Sequence, residues 1–174
     1  MTLQDLTTDE YAPYYRRYLD KLPAHALLIP SFTHGQEIVT AFFTAIPKDK
    51  LNFAYAENKW TIKQVFQHLI DTERVFMYRC LRFARNDKTV LADFDQSVFI
   101  EPSGANTKSL EALLQEFETT RRYSLQMLHS FTPEALVRIG HIQIGPMSAR
   151  AAAFIVPGHD QWHMDIIKER YVNT

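Results

Sequence analysis

Cysteine is almost missing from this chain. Cys80 is the single one among 174 residues, so no intrachain disulfide can form. That suits a reducing compartment, and the cytoplasm is the expected location. Excess charge of either sign is missing too. The formal net charge is −1, which leaves no basic field to recruit nucleic acid or an anionic membrane surface. No apolar run approaches the roughly 20 residues of a membrane span. The stretch from Met1 to Tyr18 is polar, acidic and tyrosine-rich, unlike a signal or transit peptide. Internal repeats and low-complexity tracts are absent. So are two familiar metal motifs. The zinc-protease pattern His-Glu-x-x-His does not occur, and neither does the Glu-x-x-His pair of a di-iron bundle.

What is present is the composition of a folded globular protein, 46% hydrophobic and 22% charged. We expect one domain over residues 1–174, with a sizeable core. The pattern is helical. Thr7 and Glu10 stand at capping-box spacing before Tyr11, Tyr14, Tyr15, Tyr18 and Leu22, which predicts a first helix that stops before Pro23. Residues 21–30 read as a loop. Ser31 is the expected cap of a second helix that runs to about Ala45 and ends at Pro47. A third begins near Trp60-Thr61. Its stripe of Ile62, Val65, Phe66, Leu69, Phe76, Met77, Cys80 and Phe83 is the best amphipathic signal in the chain.

Residues 86–106 lack periodicity and read as a long loop, of a kind that often carries function. Thr107 or Ser109 caps a fourth helix through Leu128, and Thr132-Pro133 starts a short helical turn. Val137 to Met147 suggests an extended segment and a turn. Ser148 caps the last helix, roughly 148–171, which Pro157 is expected to bend. With no convincing set of strands, the expected fold is all-α: a four-helix bundle with a short extra N-terminal helix.

The chemistry concentrates in the last helix. His159 and His163 are four residues apart, so both lie on one helical face. Two imidazoles so placed can share a tetrahedral ion with Zn–N distances of about 2.0–2.1 Å. Alone, the spacing is a weak signal and fits two core or interfacial histidines satisfied by backbone carbonyls better than a metal pair. Placement raises the metal reading, because His159 shares its face with Ile155, Trp162 and Ile166. His68 is the natural third ligand, on the flank of the third helix. Three protein ligands leave a position for water or substrate.

The other histidines are weaker candidates. His141, just before the last helix, is the best outsider. Asp71 reads as solvated. Glu73 falls within the apolar stripe, where an unpaired carboxylate is costly; it reads either as paired with an arginine such as Arg79 or Arg82, or as an acceptor for an imidazole or a general base. Asp160 reads as solvated or as an acceptor for an imidazole. Cys80 reads as an inert core residue, and the N-terminal tyrosines as packing groups.

The segment Asn58 to Asp95, NKWTIKQVFQHLIDTERVFMYRCLRFARNDKTVLADFD, resembles the DinB-like superfamily of small helical metalloproteins. The resemblance continues through EALLQEFETTRRYSLQML into GHDQWHMDIIKERY. Lys-Trp, seven residues, then His-Leu-x-Asp-x-Glu, joined to a late His-x-x-x-His, is more specific than either half. The resemblance implies a four-helix bundle holding one divalent metal on His68, His159 and His163. Zinc or nickel suits such a site, and iron is an alternative. The family commonly has Glu after the first late histidine, where this chain has Asp160.

Members include thiol-S-transferases that use bacillithiol or mycothiol, a mycothiol-dependent maleylpyruvate isomerase, and proteins without a known activity. The resemblance thus implies a metal-dependent enzyme, a thiol transferase or hydrolase-like, acting on a small-molecule substrate with a low-molecular-weight thiol as a candidate cofactor. It also implies a homodimer, with the N-terminal aromatics as a candidate interface. The alternative is a non-catalytic metal-binding or stress-response module acting through a partner. No catalytic base is assignable from the sequence.

Overall fold

A computed structural model describes residues 1–172. Three short 3-10 turns, Leu3–Asp5, Thr8–Glu10 and Pro13–Tyr15, lead into α1 (Arg16–Leu19). Then follow α2 (Leu28–Thr44), α3 (Ile62–Ala84), α4 (Gln96–Ile100), α5 (Leu110–His129) and α6 (Pro133–Leu136). A hairpin of β1 (Ile139–Ile142) and β2 (Gly145–Ser148) feeds directly into α7 (Ala149–Ile167), which ends in a π turn over Lys168–Val172. The long helices α2, α3, α5 and α7 form a four-helix bundle, with α3 packed chiefly on α7. No described helix is long and apolar enough to cross a membrane.

Several boundaries follow from local chemistry. The Thr61 hydroxyl accepts from Gln64 N at 3.1 Å, and Gln64 Oε1 accepts from Thr61 N at 2.9 Å, a capping box that starts α3. Ser109 caps α5, Thr132 caps α6 with Pro133 at its first position, and Ser148 caps α7. The hairpin pairs Ile139 with Ser148 and Ile142 with Gly145, in the extended segment expected before the last helix.

Three expectations fail, each for a local reason. The first helix is not continuous. Thr7 and Glu10 do form a capping box, but it closes a single 3-10 turn. Pro13 holds Ala12 in an extended conformation (φ −63°, ψ 139°), and Tyr11 bridges to Met147 instead of winding on. The second helix starts at Leu28, not Ser31, because Pro30 is tolerated in a first turn whose N–H groups have no helical partner. The Ser31 hydroxyl donates back to the Leu27 carbonyl at 2.8 Å. The long loop is not structureless. Asp95 accepts from Ser97 N and so caps α4, and a 3-10 turn follows at Ala105–Thr107.

Contacts at both ends set the direction of the α3–α7 pair. Tyr171, beyond α7, donates its hydroxyl to the Trp60 carbonyl, just before α3, at 2.8 Å. Arg138, before the hairpin that leads into α7, donates to the carbonyl of Ala84, the last residue of α3, at 2.6 Å. The helices therefore run antiparallel. Gly140 is required there, since a Cβ would sit 2.0 Å from the Phe83 ring.

The core divides in two. One apolar cluster gathers Phe32, Phe76, Met77, Phe83 and Phe154; the other gathers Phe43, Phe66, Leu69, Phe117 and Ile167. Phe43 and Phe66 stack in the second at 3.9 Å between centroids, the kind of pair worth about 0.5–1.5 kcal/mol beyond area burial. Buried polar groups accompany these clusters: His68, Thr72, Glu73, Arg121, His159 and Asp160.

Candidate metal centre

Those polar side chains come from long helices, whose backbone bonds are already satisfied. Their geometry is set by helix packing. His68 is near the start of α3; His159 and His163 are on the second half of α7. Because the helices are antiparallel, these regions meet. One nitrogen from each of His68, His159 and His163 lies within 4.8 Å of the others, the group expected from the sequence. Ring centroids are 4.8 Å apart for His68–His159, 4.9 Å for His68–His163 and 4.5 Å for His159–His163.

The donor set fits a transition-metal ion. His68 Nε2 and His159 Nε2 are 3.0 Å apart. Two nitrogens on one tetrahedral ion are ~3.3 Å apart when each bond is about 2.0–2.1 Å, so this pair lies within a few tenths of an ångström of a ligating separation, with the His163 nitrogen inside 4.8 Å of both. All three imidazoles are in the neutral form that a metal requires. Burial, reinforced by His163, pushes His68 down to about 3. Burial alone pushes His163 down to about 4, and burial with both neighbours holds His159 well below its ordinary value.

Neighbouring side chains hold the rings. His68 Nδ1 bonds the Thr72 hydroxyl at 3.3 Å, one turn along α3, which leaves Nε2 to face the other imidazoles. The Trp60 ring lies 5.0 Å from His68, and the Tyr18 ring meets His159 edge-on at 5.1 Å. Gly158 permits that last contact. A Cβ there would lie 2.2 Å from the Tyr18 carbonyl oxygen. Tyr18, which the sequence reads as a packing group, also meets the site; α7 continues through Pro157, and Gly158 lets α1 settle beside the site.

A cavity of about 360 Å³ opens from His159. Its walls include Tyr14, Tyr15, Tyr18 and Phe76, and residues 93–97 from the segment expected to be a long loop. Buried Arg79 fastens that segment: it donates to Asp93 Oδ1 at 3.1 Å, to the Ala92 carbonyl at 3.3 Å and to the Tyr15 hydroxyl at 3.4 Å. Burial raises the pKa of both Tyr15 and Tyr18, so these phenols stay protonated.

Other candidates are placed elsewhere. His141 is exposed on β1, its carbonyl bonded to Leu91 N at 2.9 Å, so it does not close the site as a fourth ligand. Asp71 is not simply solvated; it is half-buried, accepting from Gln67 at 3.1 Å and Arg74 at 3.2 Å. Cys80 is buried, and burial pushes its thiol up to about 12, which keeps it inert.

Glu73 pairs with neither Arg79 nor Arg82. Its partner is Arg121 of α5, whose Nη2 is 2.9 Å from Glu73 Oε2. Arg79 and Arg82 are engaged instead by Asp93 and Asp87. Asp160, expected to be solvated or beside an imidazole, is buried and accepts from Arg121 Nη2 at 2.6 Å. Burial pushes the Asp160 carboxyl up to about 6, with Glu73 adding to the rise and Arg121 opposing it. Arg121 was missed, although a signal existed. It follows Phe117 by four residues and precedes Leu125 by four, inside the apolar stripe of α5.

A family model for the DinB superfamily matches residues 31–167. The chain belongs to the DinB superfamily. Among solved structures, this DinB-superfamily chain resembles YfiT from Bacillus subtilis, described as a probable metal-dependent hydrolase with an unusual four-helix bundle topology. The TM-score is 0.74 at 15% identity, over 87% of this chain and 92% of that one. It also resembles a mycothiol-dependent maleylpyruvate isomerase, with a TM-score of 0.66 at 11% identity, over 95% of this chain but 62% of the isomerase. At these identities the likeness establishes the fold. Comparison with curated protein sequences finds no match.

Proposed function

We propose that this DinB-superfamily protein is a metal-dependent enzyme, a hydrolase or thiol transferase, working at a site held by His68, His159 and His163. One observation carries the reading. One of the three clustered imidazoles, His159, forms part of the wall of an open cavity of about 360 Å³. The three-histidine group includes no fourth His, Cys, Asp or Glu among the described residues. Three ligands beside a cavity match a catalytic site better than a structural one, which is closed by four.

A divalent ion held there by His68, His159 and His163, whether zinc, nickel or iron, would supply Lewis acidity and would lower the pKa of a bound water or thiol. The chain's own groups do the rest. Thr72 engages His68 Nδ1 and so orients the ring with Nε2 toward the other imidazoles. Tyr14, Tyr15, Tyr18 and Phe76 give the cavity an aromatic wall that limits water. The protonated phenols of Tyr15 and Tyr18 offer hydrogen-bond donors to a substrate in the cavity. Arg79 anchors residues 92–93, and so the far wall. The probable-hydrolase description of YfiT and the thiol dependence of the isomerase support the two reaction classes.

The test is elemental analysis of untagged protein, followed by ester-hydrolysis and thiol-transfer assays on the loaded form. About one transition-metal ion per chain, lost in His68→Ala and His163→Ala together with turnover, is the expected result. Protein that stays metal-free after reconstitution overturns the reading. A loaded protein with no turnover in either assay points to a metal-binding module instead.

A further inference from the structure

We infer that Arg121 is a positioning residue for the metal centre, holding the two ligand-bearing helices in the register that brings His68 to His159 and His163. The inference rests on the metal reading above.

Arg121 belongs to α5, which supplies no ligand, and it is fully buried. One side chain joins three other helices. Nη2 donates to Asp160 Oδ2 on α7 at 2.6 Å; Nε donates to Glu73 Oε2 on α3 at 3.1 Å; Nη1 donates to the Phe32 carbonyl on α2 at 3.4 Å. The guanidinium also lies over the Phe32 and Phe117 rings, at 4.9 and 5.0 Å. Gly35 of α2 leaves room for it, since a Cβ there would come within 3.2 Å of Nη1.

The two carboxylates are placed tellingly. Asp160 directly follows His159. Glu73 directly follows Thr72, whose hydroxyl holds His68 Nδ1. Adjacent helical residues diverge by about 100°, so on each helix the imidazole apparatus and the carboxylate point in different directions. The α3–α7 pair is thereby tied at one side by Arg121 and presents its histidines at another.

Stability is a poor explanation for this trio. Desolvating three charges costs about as much as their attraction returns, and apolar groups of equal volume often serve as well or better. Two carboxylates on one guanidinium also leave Glu73 Oε1 buried without a hydrogen-bond partner. What directional charged bonds provide, and apolar packing does not, is one arrangement. Apolar cores lose uniqueness before they lose stability, while a metal site needs its ligands held within about 0.5 Å.

The experiment measures cobalt(II) affinity and the cobalt d–d absorption spectrum for wild type, Arg121→Lys, and a charge-free variant combining R121M, E73Q and D160N. Circular dichroism and urea unfolding in chelator report the fold. We expect the charge-free variant to fold yet bind cobalt at least about tenfold more weakly, with its tetrahedral absorption diminished. Arg121→Lys, which keeps the charge but has no planar fork to bridge two carboxylates, falls between. Folded variants with wild-type cobalt affinity and spectrum overturn the proposal while the metal site stands. A wild type that takes up no cobalt removes the metal reading itself. If the charge-free variant does not fold, Arg121→Lys decides alone: unchanged affinity and spectrum overturn the proposal, and weakened binding supports it.

Discussion

Two polar trios flank the contact between α3 and α7, one of them with His163 half-buried at its edge. One is His68, His159 and His163; the other is Glu73, Arg121 and Asp160. Each draws on both helices, and Asp160 is the neighbour of His159 in the chain. Yet their chemistry is opposite. The imidazoles are neutral, lie within 4.8 Å of one another and include one that lines a cavity, so they retain capacity to bind something. The second trio is charged and enclosed, with Arg121 spending its donors on Glu73, Asp160 and the Phe32 carbonyl. Polar groups on the same helix pair thus serve differently according to what they leave unsatisfied.

The strongest way to break the comparison is Arg121→Ala. It leaves two carboxylates buried without their cation, and a loss of about 3–5 kcal/mol is expected in urea unfolding with chelator present. The imidazole trio responds in another measurement. His68→Ala is expected to abolish the stabilisation gained on metal loading, about 4 kcal/mol with free metal at a thousand times Kd. The readout is the difference in unfolding midpoint between loaded and chelated protein.

Acid separates the trios further. His68 at about 3, His163 at about 4 and His159, held well below its ordinary value by burial, refuse protons that the unfolded chain takes up near 6.5. Their neutral-form stability is present above 6.5 and is lost as pH falls below it, by about 1.4 kcal/mol per pH unit for each histidine. Asp160 acts in the other sense. Its folded value of about 6 exceeds the ordinary 3.8, so it returns part of the loss between those values. Metal-free protein should therefore lose stability from pH 7 to 5, in urea titrations, while its metal affinity stays nearly flat.

Thr72→Val sharpens the contrast at smaller cost. Losing the bond to His68 Nδ1 should weaken metal binding about tenfold in chelator competition, with little change in chelated stability. The smallest effect belongs to an exposed pair. Arg16 and Asp20, 69% and 65% exposed, lie 3.5 Å apart, and Arg16→Ala should cost under about 0.5 kcal/mol in the same unfolding assay.

Legibility in the sequence followed the reach of the interaction. Helical periodicity, caps at Thr61, Ser109, Thr132 and Ser148, and the His-x-x-x-His spacing act within one or two turns. They revealed the bundle and, with the family resemblance, the three histidines that the fold brings together. Asp95 as cap of α4 was readable in principle, but five residues of helix carry too little periodicity to stand out.

The pairing of charges was not legible. Glu73 in its stripe calls for a cation, and Arg79 or Arg82, farther along the same helix, is the expected choice. The cation comes instead from a helix 48 residues away. A buried charge is satisfied by whatever packing brings within about 3 Å, whatever the chain distance. By itself, then, the sequence determined the helices, their apolar faces and the identity of three imidazoles. Only the tertiary structure decided that Arg121 joins the carboxylates, that Gly158 admits α1 beside His159, and that the trio borders a cavity, because each depends on how rigid helices are set against one another.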